Sequence, residues 1–158
     1  MSNILTNLTD EEREELYLVP VWVSILIAGA DNKFNRAEIR KAIKVAREKQ
    51  MKEGSPLVDY YRKVAKKFEV NLKGYITLMP SNENQRHKFL VNKLERVNYF
   101  FSKMEEEIAY QLYLSFRELA IKVAQASGGI FGLLSVSYAE SKYIDLKMIA
   151  DPSGSHPN

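Results

Sequence analysis

Apolar positions recur along this chain at helical spacing, and no segment shows the period-two alternation of a half-buried strand. Val19, Trp22, Val23, Ile25, Leu26 and Ile27 make one segment apolar on most sides, which predicts a centrally buried helix. Ile39, Ala42, Ile43 and Ala46 predict an amphipathic helix from Asn35 to about Lys52. Beyond Gly54, the pair Ser55-Pro56 supplies a cap and a first-turn proline for a third helix to about Phe68, with Tyr60, Tyr61, Val64, Ala65 and Phe68 as its apolar stripe. Val70 to Met79 is too short to type by periodicity and reads as a short helix of its own. A helix from Ser81 carries Phe89, Leu90, Leu94, Val97 and Phe101. It breaks near Phe101, because Ser102 and Glu105 have capping-box spacing. The next helix runs to Ala126 through Ile108, Leu112, Phe116, Leu119, Val123 and Ala124. A glycine-rich apolar loop, Gly128 to Val136, precedes a last helix from Ser137 with Ile144, Met148 and Ile149, stopped by Asp151-Pro152. The expected core includes Trp22, Leu26, Ile39, Ile43, Leu112, Phe116, Leu119 and Val123.

Near the start, Thr9 and Glu12 have the spacing of a capping box, behind Leu8. Acids fill the first turn that follows, where the helix dipole favours them. Pro20 either kinks this helix or opens a second one. The fold class is therefore all-α: a compact bundle of about seven helices with a pseudo-two-fold internal repeat. The expected organisation is an arm over residues 1–8, one helical domain over 9–150 and a frayed tail over 151–158.

Composition narrows the class. The chain has 158 residues, of which 46% are hydrophobic, enough for one domain with a real core and against disorder of its body. The longest apolar run, Leu16 to Ala30, falls short of a membrane span and holds Pro20 and Ser24. Met1 to Leu5 lacks a basic leader, so no secretory signal is expected. The absence of cysteine excludes disulfides, thiolate metal sites and cysteine nucleophiles, and a reducing cytoplasm is the default compartment.

The net charge of +3 hides an asymmetry. Residues 9–20 hold five acids against Arg13, whereas residues 33–73 hold thirteen bases against five acids. Arg36, Arg40, Lys44 and Arg47 fall on one stripe of a helix; Lys63, Lys66 and Lys67 crowd the next. These seven residues are the candidate anion-binding set. Such a stripe suits phosphates, an acidic partner or an anionic membrane surface. No helix-turn-helix spacing, RNA-binding aromatic motif or zinc finger points to nucleic acid. The plainer reading is a pair of solvated helix faces.

A helix-loop-helix junction occurs twice. The first reads Ala28-Gly29-Ala30-Asp31-Asn32-Lys33-Phe34-Asn35-Arg36-Ala37-Glu38-Ile39, with Asn35 and Glu38 at capping-box spacing. The second runs from Ala124-Gln125-Ala126-Ser127-Gly128-Gly129 through a longer loop to Ser137-Tyr138-Ala139-Glu140. A helix ending in Ala-Asp-Gly and followed by a helix-opening Glu is similar to the motif of the tellurite-resistance TerB-like family. Ala30-Asp31 matches, Asn32 stands in the glycine position, and Glu38 lies at the family's spacing. In the second junction Ala126 and Gly128 match, Ser127 replaces the Asp, and the loop to Glu140 is longer. The resemblance spans roughly Leu16 to Ile149. It implies an all-helical fold with duplicated junctions and an accessory role in stress or tellurite-resistance assemblies, often associated with a membrane.

Asp31, Glu38 and Glu140 are the candidate metal ligands. If the junctions pack together, their carboxylates form an oxygen-rich site suited to Ca²⁺ or Mg²⁺. The plainer role is structural, with Asp31 holding turn amides and both glutamates completing caps. The stretch Asp31 to Glu38 is not an EF-hand, because its Glu comes too early and Lys33 sits at a ligand position. His87 has no partner nearby in sequence, and no Gly-x-Ser-x-Gly elbow or phosphate loop exists. The expected function is a non-enzymatic TerB-like module acting by contact with a protein partner or by divalent-ion binding. The alternative is an anionic-surface binder, of a membrane or a nucleic acid, using the basic stripe of residues 36–67. The expected location is cytoplasmic, peripheral to the inner face of a membrane in the second case.

Overall fold

The computed structural model describes residues 4–29, 34, 36–52, 54–126 and 143–153. Within them the chain is all-helical, with six helices where about seven were expected. They are α1 (Asp10–Tyr17), α2 (Val19–Ala28), α3 (Arg36–Lys49), α4 (Val58–Leu78), α5 (Glu83–Ser102) and α6 (Glu106–Gln125).

The start of α1 forms as its sequence dictates. Thr9 Oγ1 accepts from the Glu12 amide at 3.1 Å, and Glu12 Oε1 accepts from the Thr9 amide at 2.9 Å. Pro20 opens a new helix: α1 ends at Tyr17 and α2 begins at Val19. A proline cannot donate to the carbonyl four residues back. That carbonyl, on Leu16, instead accepts from the Tyr60 hydroxyl at 2.6 Å, which ties the break to α4.

All ten residues of α2 are buried. The helix packs against α3, α4, α5 and α6 and forms the axis of the bundle. Burial of each large aliphatic side chain on it is worth about 1.5–3 kcal/mol. Trp22 is held edge-on by Tyr75 and Phe89, with ring centroids 4.6 and 5.6 Å away. Leu5 and Leu8, ahead of α1, join the same core.

Four local expectations change. The third helix starts at Val58 because Ser55 Oγ accepts from the Leu57 amide at 3.1 Å, holding Ser55-Pro56 in a turn ahead of it. That helix continues through Gly74 to Leu78, so Val70 to Met79 belongs to α4. Gly74 is exposed with open space around it, and its cost to the helix is that of backbone entropy alone. Ser102 does not cap α6: its hydroxyl donates to the Tyr99 carbonyl at 2.6 Å, and α6 opens at Glu105 without a side-chain cap.

The last helix is not formed over 143–153, where the chain runs in turns. Asn98 bridges them, donating to the Met148 carbonyl at 2.9 Å and accepting from the Ala150 amide at 2.8 Å. Leu146 sits at a φ of 47° with its side chain buried, and Ile149 is buried beside it. The Ile144–Met148 spacing thus reflects turns laid on the core. The second junction, with Glu140, lies outside the described residues, as do Asp31 and Asn35 of the first.

Candidate functional site

The orientation of α3 creates the site. Its buried face is Glu38, Ala42, Val45 and Ala46. Ile39 and Ile43 lie to the side of this face. Both isoleucines were expected in the core; both are half-buried and line a groove between α3 and α4. The other six expected core residues are buried.

The groove has a volume of about 800 Å³. Its floor is Ile39 and Ile43 from α3, Ile76 from α4, and Met51 just past α3. Met51 is 74% exposed. Five bases line the walls, Arg36, Arg40, Lys44, Arg47 and Lys73, against two acids, Glu48 and Glu69. Glu69 bridges the walls: it accepts from Arg47 at 3.0 Å and from Lys73 at 2.8 Å. The Lys73 contact, with its charge and that of Arg47, holds the Glu69 carboxyl below the ordinary range. Lys44 lies 3.9 Å from Glu48. Among the described residues no carboxylate pairs with Arg36 or Arg40.

A second cavity, about 530 Å³, flanks α3 on its other side. Arg40, Lys41, Lys44 and Lys122 line it, so Arg40 and Lys44 form a ridge shared by both hollows. The seven predicted anion-binding residues therefore do not form one surface. Arg36, Arg40, Lys44 and Arg47 border the groove. Lys63 and Lys66 line a separate cavity on the far side of α4, among Asp10, Glu14 and Asp59. Lys67 borders neither.

A polar cluster without a signal in the sequence joins the helices that carry the groove to α6. Lys49, at the end of α3, has a side chain only 14% exposed; its ammonium is 3.2 Å from Glu118 of α6 and 5.4 Å from the ring centre of Tyr61. Burial pushes the Lys49 pKa down, against the pull of Glu118. Burial likewise pushes the Tyr61 phenol up, and its hydroxyl is hydrogen-bonded to Ser115 of α6. These contacts join α3 and α4 to α6.

Of the candidate metal ligands, Glu38 is described. It is 3% exposed in the first turn of α3, facing the interior. Among the described residues no three histidine, cysteine or acidic side chains form a metal-sized group. Arg86 of α5 donates to the Gly29 carbonyl at 3.2 Å and lies 5.6 Å from the Phe34 ring centre, reaching two described residues of the first junction. His87 is half-buried, its ring centre 4.8 Å from that of Tyr143. No described helix is long and apolar enough to cross a membrane.

Comparison with protein-family models, with curated proteins and with solved structures finds no match to the chain.

Proposed function

We propose that this chain is a non-enzymatic helical docking module that receives an anionic partner in the groove between α3 and α4. The observation that carries the reading is the pairing of an apolar floor with a cationic rim. Ile39, Ile43, Met51 and Ile76 lie between five basic side chains, two of them without an acidic partner among the described residues. Apolar contact supplies affinity, and the rim supplies attraction and selects for negative charge. The resemblance to TerB-like proteins fits such a module within a stress or metal-response assembly, and the lack of cysteine fits a reducing cytoplasm.

Fluorescence anisotropy with labelled poly-L-glutamate tests the reading. Binding should weaken steeply with salt, as screening of a charged rim requires. The pair Arg36→Glu and Arg40→Glu should abolish it, while Lys63→Glu with Lys66→Glu, on the other cavity, should leave most of it. Binding that follows Lys63 and Lys66, or none at low salt, would refute the reading.

A further inference from the structure

We infer that the occupant of the groove is an acidic amphipathic helix of a partner protein, which rests on the docking reading above and names its ligand. The first support is shape. From Arg36 to Arg47 the α3 wall runs about 16 Å, three helical turns, with α4 as the opposite wall. Two helices with an apolar trough between them accept the side-chain ridge of a third. A flat bilayer presents no ridge of side chains to seat between two helices. A phosphate polymer uses the rim but has nothing to place on isoleucine.

The second support is charge complementarity along the trough. Arg36, Arg40 and Lys44 stand one turn apart beside the Ile39–Ile43 row. A helix with apolar residues at i, i+4 and i+7 and carboxylates on the flanking positions meets both rows at once, as flanking charges do in paired helices. Arg47 is already engaged by Glu69, which Lys73 also holds. The partner's carboxylates therefore belong at the Arg36–Arg40 end and its apolar side chains toward Met51.

Three probes test the inference: a synthetic helical peptide with leucines at that spacing and flanking glutamates, a scrambled peptide of the same composition, and phosphatidylserine vesicles. The patterned peptide should bind about tenfold or more tightly than the scrambled one. Arg40→Glu and Met51→Glu should each weaken it by a similar factor. Met51 is 74% exposed, so its substitution leaves the fold intact, which circular dichroism can check. Equal binding of both peptides, lost together in Arg40→Glu, would overturn the helix inference and leave the anion docking standing. Preference for the vesicles through the same arginine would overturn it in favour of a lipid surface. Binding to none of the three would remove both the inference and the docking reading.

Discussion

Lys49 and Glu118 lie 69 positions apart in sequence, yet the ammonium of one is 3.2 Å from the carboxylate of the other. The contact fastens the end of α3 to α6, and with it one wall of the groove. Glu118 also holds Lys122 at 3.0 Å, one turn further along α6. Burial raises the Glu118 pKa, but the contacts with Lys122 and Lys49 outweigh it, and the net shift is downward from 4.5.

That shift sets an acid dependence. A carboxyl with a depressed folded-state pKa binds fewer protons folded than unfolded, so its stabilisation is complete above 4.5 and lost as pH falls through the lower folded value. Glu118→Gln should therefore lower the melting temperature near neutrality, modestly because the pair is partly solvated, and the two proteins should converge as pH falls, so that the variant's acid limb is flatter. Parallel acid limbs in both proteins would contradict the contact.

The Tyr61–Ser115 hydrogen bond is buried between α4 and α6. Tyr61→Phe removes one partner and leaves the Ser115 hydroxyl without it, at a cost of about 1–3 kcal/mol. The double variant with Ser115→Ala should recover part of that loss, since no buried hydroxyl then remains unpaired. Chemical denaturation of the two single variants and the pair gives the coupling directly. Additive losses would show that the two hydroxyls act independently.

Glu38 separates the structural role of the first junction from a metal role. Buried in the first turn of α3, it should contribute about 1 kcal/mol as a helix-start contact, on the scale of capping interactions. Glu38→Ala should then lower stability equally in chelator and in Ca²⁺. A loss that appears only when Ca²⁺ or Mg²⁺ is present would favour the carboxylate site with Asp31 and Glu140.

What the sequence made legible was local. The Thr9–Glu12 box forms because both partners lie within one turn, and the break at Pro20 because proline lacks a donor. The burial of α2 follows from its being apolar on most sides. Along α3, periodicity placed Ile39 and Ile43 in the core, but it does not distinguish a core-facing stripe from one rotated toward a neighbouring helix. The packing of α3 against both α4 and α6 decides that, and it depends on residues far away in the chain. The basic residues were visible as a run, but their division between two sides of α4 follows from the packing of α4 against α3 and α1. The turns over 143–153 depend on Asn98, some fifty positions earlier, and Lys49–Glu118 on a longer separation still. No local pattern encodes either.

The most direct measurement is nitrogen-15 chemical-shift mapping of the whole chain titrated with poly-L-glutamate at low salt. Saturable shifts should concentrate within residues 36–51 and 69–77, the two segments that supply the groove's lining, and vanish both in Arg36→Glu/Arg40→Glu and on addition of salt. Shifts centred on Lys63 and Lys66, or a spectrum unchanged by the polyanion, would contradict docking between α3 and α4.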